Sequence, residues 1–267
     1  MRIAHITDLH LRHHLPGSSA LPRRLSRAVP DLLEEAVLGL RADAPDLLAV
    51  TGDLLDYPVG TSDGDLEARA ERDLELVREI LAPLGCPMAL LYGNHDPPVA
   101  FRKILGLPPP EFDVCGCRVL SFLDEELQDH FPERMGSERR RLLDVLADRD
   151  PRPQIHLQHY LVAPERNAGY PHTYREAGRL KASLLDDPRV LLVLSGHYHP
   201  GEPLFAEGHV HFAVAPAFCE LPHAYRIYHV AGRTVRQEER SLREADAAGA
   251  PGPAQSLQSD RDFRGSR

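Results

Sequence analysis

Ile3-Ala4-His5-Ile6-Thr7-Asp8-Leu9-His10, at the start of the chain, is an apolar, β-branched run that ends on a carboxylate and an imidazole. The same form recurs downstream. Leu47–Val50 leads to Gly52-Asp53, Met88–Tyr92 to Gly93-Asn94-His95-Asp96, and Val190–Leu194 to Gly196-His197-Tyr198-His199. A shorter run, Ile155-His156-Leu157, ends on Gln158-His159. Short apolar runs of this composition read as buried strands. Polar groups gathered at strand C-terminal ends occupy the crevice where open α/β sheets take ligands. Carboxylate, imidazole and carboxamide donors in this number suit a pair of borderline-hard divalent ions better than one structural zinc.

Working outward, the first half alternates strand and helix. Leu32, Leu33, Ala36, Val37 and Leu40 recur at helical spacing within Pro22–Arg41, and Pro30 is suited to start the main helix there. Helices are also expected at Asp65–Leu81 and Val99–Leu105, with strands Asp46–Thr51 and Pro87–Leu91 between them. This βαβα order predicts parallel strands with right-handed crossovers. Strands Glu111–Val114 and Arg118–Leu123 then flank a hairpin-like Cys115-Gly116-Cys117. A helix Ser137–Ala147 follows, with Ser137 as its N-cap, then strand Gln154–Gln158, helix Arg175–Leu185 and strand Arg189–Leu194. From Glu202 onward, Pro203–Phe205, His209–Val214, Tyr225–Val230 and Thr234–Gln237 read as a run of antiparallel strands. The expected fold is α/β, a four-layer α-β-β-α sandwich of two mixed sheets spanning residues 1–240. Residues 241–267, rich in Ala, Gly, Ser, Pro and charge, are expected to form a disordered tail.

Bulk properties narrow the function. A formal charge of −9 over 267 residues disfavours a stable nucleic-acid partner, and two divalent ions would cancel about four of those charges. No stretch of about 18 apolar residues is present, so no membrane span is expected. The N-terminus lacks the pattern of a signal peptide. Cys86, Cys115, Cys117 and Cys219 form no CxxC pair and no regular framework. Reduced thiols and a cytoplasmic location are the expectation. A dimer is compatible with this reading. The chain has no GxxxxGK[ST] loop, HExxH helix or GxSxG elbow.

Asp8-x-His10, Gly52-Asp53-x-x-Asp56, Gly93-Asn94-His95-Asp96, His159 and Gly196-His197-x-His199 together resemble, in order and residue type, the calcineurin-like metallophosphoesterase family. Ala215-Pro216-Ala217 and Tyr225-Arg226-Ile227 are similar, less specifically, to the closing strands of class III cyclic-nucleotide phosphodiesterases. The resemblance implies two divalent ions, manganese, iron or zinc. One would be held by Asp8, His10, Asp53 and His199, the other by Asp53, Asn94, His159 and His197. It implies in-line attack on phosphorus by a hydroxide bridging the ions, with His95 as the catalytic histidine assisting the leaving oxygen.

Taken singly, each residue has a plainer reading: Asp8 and Asp53 as strand-end polar residues, Gly52 and Gly93 as turn glycines, His159 as a buried core histidine. Asp96 is divided between orienting the His95 ring from behind and opening the turn before Pro97. Asp56 is read first as a loop or N-cap residue. Arg12, Arg23 and Arg24 are expected to be solvated, and His13 and His14 to lie in a surface loop. The leading activity is hydrolysis of a small phosphodiester, nucleotide-like or cyclic. The rivals are a phosphomonoesterase and a catalytically silent binding scaffold of the same fold.

Overall fold

The computed structural model describes residues 1–58 and 64–244. The expected tail from 245 onward, and most of the loop between Pro58 and Asp65, lie outside the described residues. The chain runs β1 (Arg2–Ile6), α1 (Val29–Asp43), β2 (Leu47–Thr51), α2 (Gly64–Leu81), β3 (Met88–Leu91) and α3 (Pro98–Ile104). It continues through β4 (Glu111–Val114), β5 (Cys117–Ser121), β6 (Glu125–Glu126), β7 (Pro132–Glu133), α4 (Gly136–Ala147), β8 (Gln154–Leu157) and α5 (Ala177–Asp186). The last strands are β9 (Val190–Ser195), β10 (Glu202–Glu207), β11 (Val210–Val214), β12 (Ala224–Ala231) and β13 (Thr234–Ser241).

Two mixed sheets result, in the orders β13-β12-β1-β2-β3 and β10-β11-β9-β8-β5-β4. Successive side chains of a strand face opposite sides, and this alternation sorts the core into three layers of contact. Ala4, Ile6, Leu48 and Val50 join Leu33, Ala36, Val37, Leu74 and Val77 of α1 and α2. Their neighbours Ile3, Leu47 and Ala49 instead meet Val119, Ile155, Leu157, Leu192 and Leu194 of the second sheet. On the far side Leu142 and Val145 of α4 and Leu180 and Leu184 of α5 pack with Leu120, Val193 and Phe212. Helix, sheet, sheet, helix is therefore the layering, as the sequence pattern implies.

β1, β2 and β3 are parallel, and α1 starts with Pro30 in its first turn and ends on left-handed Ala44. The C-terminal run departs from its expected all-antiparallel pairing. β10 and β11 form a hairpin, but β11 inserts beside β9 and runs parallel to it. β12 then crosses to the first sheet, pairing antiparallel with β1 and β13. Alternation within a strand marks which face is buried, not which neighbour it finds, so this crossing was not legible. Ser137 does not cap α4: the helix starts at Gly136, and its N-cap Met135 makes no side-chain cap bond. Cys115 is exposed in the turn between β4 and β5, and Cys117 is buried on β5.

Among the described residues no helix is long and apolar enough to cross a membrane.

Candidate metal centre

The loops after β1, β2 and β3 in one sheet and after β8 and β9 in the other converge at one end of the sandwich. Backbone pairing continues past the strands: Asp8 N–H donates to the Gly52 carbonyl at 3.1 Å and His10 N–H to the Asp53 carbonyl at 2.9 Å. Asp8, His10, Asp53 and His197 all adopt positive φ, so each strand-end loop turns its side chain back over the sheet edge. Two glycines permit this crowding. A Cβ at Gly93 would lie 2.2 Å from Asp53 Oδ1, and one at Gly196 would lie 2.0 Å from Thr7 Oγ1.

Asp53 occupies the centre. Its Oδ1 accepts the His95 N–H at 2.8 Å, and its Oδ2 lies 3.5 Å from both His10 Nε2 and His159 Nε2. On one side, His10 Nε2 and His199 Nε2 face each other at 3.2 Å, and Asp8 Oδ1 lies 3.6 Å from His199 Nε2 and 3.9 Å from His10 Nε2. The other Asp8 oxygen is engaged by Thr7 Oγ1 at 2.7 Å and the His197 N–H at 3.0 Å, leaving Oδ1 buried without a hydrogen-bond partner. On the other side, Asn94 Oδ1 is 3.2 Å from His159 Nε2, and the buried His197 Nε2 is likewise unpartnered. Asp53, His159 and His197 form one group able to hold an ion, and His10 joins two others, one with Asp53 and His95 and one with His199 and Cys219. Unpaired buried donors aimed at a common space are what cations satisfy. The donor set fits two divalent ions.

The far sides of the rings fix which nitrogen faces inward. His159 Nδ1 donates to the Thr51 carbonyl at 2.7 Å, so its Nε2 is the nitrogen that faces inward. His199 Nδ1 meets Glu220 Oε1 at 2.6 Å, and His10 Nδ1 lies 3.6 Å from Asp56 Oδ1. Burial opposes charge on His159, but the Asp53 and Asp8 carboxylates outweigh it and push its pKa up to about 9. A divalent ion competes with that proton.

Asp56 departs from its loop or N-cap expectation. It is buried, within 3.7 Å of His95 Nδ1 as well as His10, and paired with Arg12 at 2.8 Å and Arg24 at 3.3 Å. Those two arginines are correspondingly half-buried, whereas Arg23 is exposed and pairs with Glu220. Asp96 does not orient the His95 ring. Its carboxylate accepts the N–H groups of Gly93, Leu54 and Leu55 at 2.8–3.1 Å and so braces the loop carrying Asn94 and His95. His13 and His14 stay outside the cluster, their backbone held by buried Asp73 of α2. Glu220 and Glu126 were not anticipated. Glu220 lies 21 residues beyond His199, and no spacing rule links them. Behind Gln158, a buried Arg134 pairs with Asp124 at 2.8 Å and stacks 3.8 Å over the Phe122 ring.

The sequence profile of the calcineurin-like phosphoesterases matches residues 1–201. The chain belongs to that family, whose chemistry is metal-dependent phosphoester hydrolysis. It is 30% identical, over 74% of its length and 73% of the relative's, to a Synechococcus sp. protein named "Probable cyclic nucleotide phosphodiesterase". It is 27% identical, over 74% of its length and 71% of the relative's, to a glycerophosphodiester phosphodiesterase of Enterobacter lignolyticus. In fold it is similar to a dimetal phosphatase from Danio rerio, with a TM-score of 0.69 at 17% identity over 90% of this chain and 96% of that one. A Thermus thermophilus protein superposes with a TM-score of 0.54 at 16% identity over 89% and 97%.

Proposed function

We propose that this protein is a dinuclear-metal phosphodiesterase acting on a small, nucleotide-like or cyclic-nucleotide phosphodiester. The observation that carries the reading is the position of Asp53 Oδ2, 3.5 Å from an inward-facing imidazole nitrogen on each side. One ion would be held by Asp8, His10, Asp53 and His199, the other by Asp53, Asn94, His159 and His197. The mixed nitrogen and oxygen donors are compatible with manganese, iron or zinc. When bound, such a pair lowers the pKa of a water for in-line attack and stabilises charge on the phosphoryl oxygens.

The chain's own residues supply the rest. Asn94 contributes a neutral oxygen, which limits the negative charge facing a phosphate. His95 is held by its N–H on Asp53 and its Nδ1 beside Asp56, and its side chain is 21% exposed in an otherwise closed cluster. With the ring protonated, Nε2–H would donate to the leaving oxygen. The Asp56 charge holds that ring in place, and Arg12 and Arg24 hold Asp56. Preference for diesters is supported by the names of both curated relatives. The free thiols of Cys86, Cys115, Cys117 and Cys219 support a reducing, cytoplasmic setting.

The test is hydrolysis of bis-p-nitrophenyl phosphate against p-nitrophenyl phosphate by metal-reconstituted protein. Metal-dependent, diester-selective turnover is expected. Monoester preference would replace the phosphodiesterase reading with the phosphomonoesterase one. A protein inert on both and on a cyclic-nucleotide panel would be the silent scaffold.

A further inference from the structure

Glu126 stands over the half of the centre formed by His159 and His197. It lies on β6, a two-residue strand paired with β7 through Glu126 and Pro132. Its carboxylate accepts the Tyr170 hydroxyl at 3.0 Å to each oxygen and lies 3.3 Å from His130 Nδ1. Oε1 is 3.8 Å from His197 Nε2, the nitrogen that is buried with no hydrogen-bond partner. That separation is too long for a hydrogen bond. It lies within the reach of two donors on one ion, because groups each about 2.1 Å from a metal sit at most about 4.2 Å apart. A lone pair and a carboxylate oxygen facing across such a gap repel unless a cation lies between them. The Tyr170 ring, 5.7 Å from that of His197 by centroids, already directs its hydroxyl to Glu126, so it does not satisfy the nitrogen.

We propose that Glu126 is an additional oxygen donor to the ion at Asp53, Asn94, His159 and His197, delivered by the β6–β7 hairpin and held in place by Tyr170. The inference rests on the dinuclear reading above. It gives that half a second anionic oxygen beside the shared Asp53, against the neutral donors Asn94, His159 and His197. An added carboxylate makes that position more hospitable to oxygen-preferring ions such as manganese.

The experiment is a titration of the chelator-stripped full chain with Mn2+ alone, free Mn2+ being read by electron paramagnetic resonance and bound Mn2+ per chain after desalting. The wild type is expected to bind two ions in separable steps. Glu126→Gln should weaken one step about tenfold or more and leave the other unchanged. Glu126→Asp should recover part of the loss, and Tyr170→Phe should weaken the same step by less. Unaltered Mn2+ binding by Glu126→Gln overturns the proposal even if turnover falls, making Glu126 a substrate contact. Equal weakening of both steps also overturns it. Fewer than two ions on the wild type would instead overturn the dinuclear reading, and this proposal with it.

Discussion

Behind His10 and His199 stand carboxylates, Asp56 and Glu220. Behind His159 stands only the Thr51 carbonyl, and around His197 lie the rings of Tyr160, Tyr170 and His172, with centroids 4.9–5.7 Å away. A carboxylate behind an imidazole fixes its orientation and places a negative charge behind the ring; a carbonyl fixes orientation with less charge. The two halves of one centre are thus built to different strengths. The His10 side has carboxylates behind its rings, and the His159 side has a carbonyl behind one ring and Glu126 3.8 Å from the other.

Asp53 is the residue common to both halves, and changing it gives the largest expected effect. Asp53→Asn should lose both ions, measured as metal per chain, and turnover should fall to background; retention of one ion would mean that the halves are independent. His95→Ala comes next, with kcat reduced about 10²–10⁴-fold while both ions stay bound. Loss of an ion in that variant would move His95 into the ligand set. Glu220→Gln and Asp56→Asn should each weaken the ion on the carboxylate-backed side about 10–100-fold, without equal loss on the other. Uniform weakening of both ions would erase the contrast drawn here.

The smallest effect lies outside the centre, one residue in each sheet. His5 of β1 and His156 of β8 are fully buried, and burial, with Arg226 near the first and Arg134 near the second, pushes both pKa values down to about 3. Each is neutral when folded and protonates below about pH 6.5 when unfolded. The folded state therefore loses stability as pH falls below that value, by about 1.4 kcal/mol per pH unit for each histidine. Urea denaturation between pH 5 and 7 should show a shallower slope in His5→Gln and in His156→Gln. An unchanged slope in both would show that the acid sensitivity has another source.

The difference between the halves also explains what could be read in advance. Asp8, His10, Asp53, Asn94, His159, His197 and His199 could be read as a group because each lies within a few residues of the end of an apolar run, and a strand end is a place the sequence marks. The layering was legible for the same reason, through alternation in runs such as Ile3–Ile6. Asp56 and Asp96 were visible in their motifs, but their partners depend on how loops fold back: Asp56 against His10 and His95, Asp96 onto the Leu54, Leu55 and Gly93 amides. Glu220 and Glu126 carried no local mark. They reach the centre because β12 crosses between sheets and the β6–β7 hairpin leans inward, both consequences of tertiary packing. The buried Arg134–Asp124 pair is of the same kind.

Asp8, His10, Asp53 and His197 all hold left-handed backbone conformations, each of which costs an L-residue about 1–2 kcal/mol. An unfolded chain visits four such turns together very rarely, so it presents no formed nest to a passing cation. Only the paired strands impose them. The arrangement of these four side chains is therefore a property of the assembled sandwich and not of any local segment.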